Sequence, residues 1–213
     1  MMQGWLLGRE PPHCDDSFAT LERTWLDDGA WIDLARGWLA GHAALFDELE
    51  RTVAWREESR RMYDRVVEVP RLVGVLASAE RPPVVEAMRV ALERRYATGF
   101  PRVSVALYRN GSDSVAWHGD YVARTLPEAL VATVSVGAAR KFLVRPTGGG
   151  PSRALSLGCG DLIVMGGTCQ RTHQHAIPKV ARAQPRIAIM FRPIWERDDV
   201  KAPSAHTSSA RRR

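Results

Sequence analysis

The sequence predicts an α+β protein in which helices precede an antiparallel β-sandwich or jelly roll and cover one outer sheet face. Three observations predict it. Two segments of the first half carry apolar residues at helical spacing. From Val103 onward the apolar segments shorten to strand length. Glycines punctuate those short segments, at Asn110-Gly111, Gly137, Gly148-Gly149-Gly150, Gly158, Gly160 and Gly166-Gly167.

Taken in order, Gly41 to Val53 (GHAALFDELERTV) reads as the first amphipathic helix. Arg61 to Leu76 is rich in β-branched residues but broken by Pro70, which removes a ladder donor and suggests an edge strand or a strand-loop passage. Val84, Met88, Leu92 and Tyr96 recur every four positions and define the second helix. Strands are expected at Val103 to Tyr108, Ser114 to His118, Leu130 to Val136, Lys141 to Arg145, Asp161 to Met165, His173 to Ile177 and Arg186 to Arg192. Residues 1–199 read as one domain, with an N-terminal extension over 1–60 that holds a helix and strands and a jelly roll over about 100–194. The tryptophans are assigned to the core, as large aromatics usually are.

The chain of 213 residues, 45% apolar and 25% charged, is long enough for one substantial core. No apolar run reaches the roughly 20 residues that a spanning helix needs, and the start lacks a signal-peptide pattern, so a cytoplasmic monomer with no membrane partner is expected. Cys14, Cys159 and Cys169 form no CxxC pair, which argues against a disulfide framework or a thiolate zinc site and for reduced, buried cysteines. The net charge of +6 invites a nucleic-acid reading, but Lys201, Arg211, Arg212 and Arg213 sit in an acid-free tail over 200–213. Without those four cations the body carries only +2. The tail has the composition of a disordered basic end.

The chemistry-bearing feature is His118-Gly119-Asp120, with His173 and His175 downstream and then Arg186 and Arg192. Alternate residues of an extended segment share a face, so His118 and Asp120 point one way, and His173 and His175 likewise. Two imidazoles and one carboxylate can occupy one face of an octahedral metal and leave the opposite face open, the arrangement of non-haem Fe(II) oxygenases. The plain alternative is a turn aspartate capping backbone amides beside a half-buried histidine. On the last strand Arg186, Ala188, Met190 and Arg192 share one face and Ile187, Ile189 and Phe191 the other. Two guanidiniums on one face suit a dicarboxylate, because the planar fork pairs bidentately with carboxylates. The alternative there is an exposed edge strand with snorkelling arginines.

Read together, the ordered pieces resemble the AlkB family of 2-oxoglutarate- and Fe(II)-dependent dioxygenases. They are Tyr63 with Val69-Pro70-Arg71-Leu72, Leu107-Tyr108-Arg109-Asn110-Gly111, Trp117-His118-Gly119-Asp120, the run from Ala132 to Arg140, His175-Ala176-Ile177-Pro178-Lys179 and the run from Pro185 to Arg192. The resemblance covers about Met62 to Pro193. It implies a double-stranded β-helix. It also implies that His118, Asp120 and His175 hold Fe(II), that Tyr108 and Arg186 engage the distal carboxylate of 2-oxoglutarate, and that Arg192 lies near its chelating end. His175 is preferred to His173 because Ala-Ile-Pro-Lys follows it, and His173 is assigned to the pocket lining. The family's substrate class is N-alkylated nucleic-acid bases, so alkylated DNA, preferably single-stranded, is the expected partner, with RNA as a second. A base must leave its stack to reach the iron. Met62, Tyr63, Arg71, Tyr121 and Arg124 are the candidates for the surface that clamps it and its flanking phosphates, by matching position or proximity.

This chain departs from the family pattern where it matters to the co-substrate and to the base. Ala106 stands in place of an Asn, Ala188 and Met190 replace the Asn and Thr of the Arg-x-Asn-x-Thr-x-Arg strand, and Tyr121-Val122 replace acidic residues after Asp120. The expected activity is oxidative dealkylation with release of aldehyde, succinate and CO2. The alternatives are an oxygenase of the same type acting on a small molecule or protein, and a non-catalytic jelly-roll binding module.

Overall fold

The computed structural model describes residues 10–62, 65–120 and 128–193, with the backbone alone for 58–62 and 65–68. The N-terminal part folds into β1 (His13–Cys14), β2 (Leu21–Trp25), β3 (Ala30–Ala35), β4 (Leu39–Ala40), α1 (His42–Thr52), β5 (Arg56–Met62), β6 (Arg65–Val75) and α2 (Pro83–Tyr96). The jelly roll follows as β7 (Arg102–Tyr108), β8 (Val115–His118), β9 (Val131–Gly137), β10 (Arg140–Pro146), β11 (Arg153–Leu157), β12 (Leu162–Gly167), the short α3 (Cys169–Thr172), β13 (His173–Ile177) and β14 (Arg186–Arg192). Besides the two-stranded pair of β1 and β4, one sheet has eight strands in the order β2-β3-β12-β9-β14-β7-β6-β5, and the other has four in the order β11-β10-β13-β8. Every pairing in both is antiparallel.

Two cores arise from the period-2 alternation of the large sheet. Val103, Val105, Leu107, Ile187, Ile189 and Phe191 join Leu45, Leu49, Val85, Met88 and Leu92 of the two helices in one. Ala106, Tyr108, Ala188 and Ile163 join Phe142, Val144 and Ile177 of the small sheet in the other. The strands between the cores are therefore apolar on both faces, and the expected layering of helices on a double-stranded β-helix is realised.

Three expectations are corrected. The strand over 61–76 is not at an edge, because β6 pairs with both β5 and β7. Pro70 is accommodated at a bulge, where Glu57 pairs with Leu72 and Glu58 with Val69, leaving Pro70 and Arg71 outside the ladder. The strand β11 was not anticipated, nor were β2 and β3 located, because charged residues interrupt their apolar pattern. Asp33 on β3 is fully buried, held by Arg23 at 2.6 and 2.8 Å and by the Tyr96 hydroxyl at 2.9 Å. Finally, Cys169 is buried but Cys159 is exposed, and Trp25 lies largely outside the core while Trp38 is within it.

Candidate metal centre and co-substrate pocket

His118 ends β8 and His175 is central in β13, and the sheet register sets them directly opposite one another. Directly opposed side chains of an antiparallel pair are neighbours, so two residues 57 positions apart come to lie with ring centroids 4.2 Å apart. Phe142 of β10 stacks on the His175 ring at 5.3 Å from the other side. His118 Nδ1 lies 2.8 Å from the Ala116 carbonyl oxygen, and as the donor tautomer it leaves Nε2 as the basic nitrogen. The chain then turns at Gly119, where an added Cβ would meet the Gln170 carbonyl oxygen at 2.7 Å. Only glycine fits that approach. The turn is closed by Gln170, whose Oε1 accepts from the Asp120 N–H at 3.1 Å. Thus α3, which leads into the His175 strand, also clasps the Asp120 segment.

Burial alone would raise the Asp120 carboxyl, but Arg192, then His175 and His118, hold it at about 2. Burial pushes His175 down, His118 adds to it, and the imidazole titrates at about 3. At neutral pH the site therefore offers an ionised carboxylate and a neutral imidazole, the protonation states that metal ligation requires. Among the described residues no three His, Cys, Asp or Glu side chains are gathered tightly enough to count as a preformed metal cage. The Asp120 carboxylate instead faces Arg192, with contacts of 3.3 and 3.4 Å. The donor set is still the one that suits Fe(II), two imidazoles and one carboxylate in a single neighbourhood.

Arg192 and Arg186 both stand on β14, the central strand between β9 and β7. The exposed-edge alternative for these arginines is thereby excluded. Arg192 also donates to Ser104 Oγ of β7 at 2.8 Å. Arg186, 1% exposed, lies opposite Tyr108 in the ladder, its guanidinium carbon 5.4 Å from the Tyr108 ring. Its Nη2 donates to Ser135 Oγ at 2.6 Å, while Nε and Nη1 have no hydrogen-bond partner among the described residues. Burial lowers its pKa to about 10, so it stays charged at neutral pH. A buried cation with two unpartnered nitrogens is costly, and a carboxylate accepting from Nη1 would reduce that cost. The residues present therefore fit both Fe(II) and a dicarboxylate.

The structure brings His118, Asp120, His175, Tyr108, Arg186 and Arg192 into one contiguous region. His173 diverges from it. Its Nδ1 is 2.9 Å from Thr172 Oγ1 and 3.7 Å from Asp27, and it lines a separate polar cleft with Gly119, Thr147, Gln170, Arg171 and Gln174. Arg71, expected on an outer phosphate-facing surface, is 8% exposed and donates from Nη1 to the Tyr108 hydroxyl at 3.1 Å. Tyr63, Tyr121 and Arg124 lie outside the described residues, as does the side chain of Met62. Sequence reasoning missed Ser104, Ser135 and Gln170, small or neutral residues whose roles come only from register. It also missed that Arg140 ties two loops, donating to the carbonyls of Asn110 and Asp113 in one and of Pro178 in the other at 3.0, 2.8 and 2.9 Å.

The profile of the 2OG-Fe(II) oxygenase superfamily matches residues 50–192. The Alpha-ketoglutarate-dependent dioxygenase alkB homolog 3 of Bos taurus is 27% identical over 175 residues, covering 71% of this chain and 61% of that protein. Its Homo sapiens counterpart is 28% identical over 155 residues, covering 68% of this chain and 52% of that protein. The DNA oxidative demethylase ALKBH2 of Arabidopsis thaliana is 27% identical over 189 residues, covering 69% and 60%. The chain thus spans only 52% to 61% of the length of these curated relatives. In fold it is similar to OsALKBH1, with a TM-score of 0.55, 14% identity and coverage of 81% of this chain and all of that one. It is also similar to a prolyl hydroxylase from Trichoplax adhaerens solved with a peptide fragment, with a TM-score of 0.60, 10% identity and coverage of 80% and 87%. The family match covers both candidate site segments and most of the chain, which therefore belongs to the 2OG-Fe(II) oxygenase superfamily.

Proposed function

We propose that this chain oxidatively dealkylates N-alkylated bases of nucleic acid, with single-stranded DNA as the first candidate polymer and RNA as the second. The observation that carries the chemistry is the cross-strand pair His118 and His175 beside Asp120, one strand system away from a buried Arg186 whose Nε and Nη1 are unpartnered among the described residues. The choice of substrate class is supported by the curated AlkB-type relatives, one of them named a DNA oxidative demethylase.

His118, Asp120 and His175 would hold Fe(II), and Arg186 with Tyr108 would hold the far carboxylate of 2-oxoglutarate. When bound, this pair supplies the oxidation of an N-alkyl C–H bond by O2, with 2-oxoglutarate leaving as succinate and CO2 and the alkyl group as an aldehyde. The protein's own contribution is positional. Phe142 packs on one face of His175 and fixes the ring plane, and Gln170 holds the Asp120 backbone. Arg192 keeps Asp120 ionised, so no proton has to leave that carboxyl before it binds metal. The apolar inner wall of Ala106, Ala188 and Val144 keeps bulk water from the pocket.

The test is succinate formation by the Fe(II)-loaded protein over a panel of methylated single-stranded DNA and RNA oligonucleotides and free nucleosides. Turnover stimulated by one methylated oligonucleotide, and lost in His175→Ala, is the expected result. Turnover that no oligonucleotide stimulates would redirect the substrate to a small molecule or protein side chain, a reading favoured by the +2 charge of the body.

A further inference from the structure

Arg71 reaches the inside of the sandwich by strand alternation, two residues before Val73 of the inner cluster, with Leu72 between them on the helix-facing side. With Glu57 paired to Leu72 and Glu58 to Val69, Pro70 and Arg71 leave the ladder, and the Arg71 side chain is directed to the Tyr108 hydroxyl, 3.1 Å away. Tyr108 in turn faces Arg186 across the β7–β14 register. Two buried guanidiniums therefore address one phenol. Arg140 is also within 5.7 Å of that ring, but its Nη1 and Nη2 are committed to backbone carbonyls. On the same face Ala106, Ala188 and Met190 offer no side-chain N–H or O–H, while the hydroxyls of Ser135 and Ser104 accept from Arg186 and Arg192. Like charges at this spacing repel, and an anion placed between them is attracted to both.

We propose that Arg71 is a co-substrate-binding residue, which together with Tyr108 and Arg186 holds the distal carboxylate of the 2-oxo diacid and supplies a charged contact where Ala106, Ala188 and Met190 can make none. The proposal rests on the assignment of Tyr108 and Arg186 to that carboxylate. It moves Arg71 from the outer nucleic-acid surface to the pocket that recognises 2-oxoglutarate.

The experiment compares two 2-oxo acids of equal chain length, 2-oxoglutarate and 2-oxopentanoate, the second lacking the distal carboxylate. Binding of each to the Fe(II)-loaded full chain is titrated anaerobically by the visible absorbance of the chelate, for wild type, R71Q and R71K. In R71Q, 2-oxoglutarate should bind about ten- to a hundredfold more weakly, the range for losing one charge-assisted hydrogen bond. Affinity for 2-oxopentanoate and for Fe(II) alone should be unchanged. R71K should recover part of the loss, since it keeps the charge and loses the fork. Should R71Q fail to fold, R71K carries the comparison, with a smaller loss confined to 2-oxoglutarate. An equal loss for both acids would show that Arg71 merely supports the fold, and no loss for 2-oxoglutarate would place it outside the pocket; either overturns the proposal. Wild type that binds neither acid overturns the co-substrate assignment itself, a result distinct from both.

Discussion

At the scale of single residues, the buried carboxylates Asp33, Asp113 and Asp120 are each held by a guanidinium, and Asp113 shows what that costs and gives. It is 2% exposed, and Arg109 binds it through Nε at 2.9 Å and Nη2 at 3.0 Å while the Arg109 backbone N–H donates at 2.8 Å. Burial raises its pKa, but the Arg109 contacts outweigh that and bring the folded value below the ordinary 3.8. A carboxyl lowered on folding stabilises the native state above its unfolded value, and that stabilisation is lost as pH falls through the folded one. Asp113→Asn should therefore cost about 1.5–3 kcal/mol at pH 7, the range for hydrogen bonds to charged groups. In urea denaturation its deficit against wild type should shrink as the pH is lowered below 3.8. A deficit independent of pH would show that the amide's shape, not the lost charge, is responsible.

At the scale of elements, the site depends on a short turn clasping a loop. His118 and Asp120 leave the sheet at the end of β8, while α3 enters β13 just before His175, and Gln170 joins the two through the Asp120 N–H. The Gln170 side chain is buried, and its Nε2 rests on Met165 Sδ at 3.6 Å. Outer partners of this kind orient the metal ligands, and their loss costs about ten- to a hundredfold in metal affinity. Gln170→Leu should show that loss in an anaerobic Fe(II) titration while the circular dichroism spectrum is retained. An unchanged affinity would mean that the Gly119 turn holds Asp120 unaided. The β6 bulge accommodates Pro70 by a break in the β5–β6 pairing, while alternation along β6 carries Arg71 to the face of Val73.

At the scale of the whole molecule, charge is distributed unevenly between body and tail. Four of the six net positive charges lie in residues 200–213, so the tail should dominate any salt-sensitive attraction to a polyanion. Deleting it should reduce the slope of log affinity against log salt for single-stranded DNA by about 3, from roughly 0.7 per neutralised phosphate. Succinate formation without oligonucleotide should be unaffected. An unchanged slope would assign the phosphate contacts to the body.

Much of this was legible from residue order alone. Alternation on β14 placed two arginines opposite Ile187, Ile189 and Phe191, and helical spacing found α1 and α2, because those patterns report burial directly. The pattern failed at β2 and β3, where a buried Asp33 is paid for by partners far away in the chain, and at Pro70, where a bulge admits a proline that a regular inner strand would not. The order of side chains determined which chemistry was available: two imidazoles, a carboxylate and two strand-borne guanidiniums. The resemblance already preferred His175 to His173; only the tertiary structure set it directly opposite His118, made β14 a central strand and put Arg71 inside. Those outcomes depend on sheet order and register, which are set by the packing of distant segments rather than by nearest neighbours in the chain.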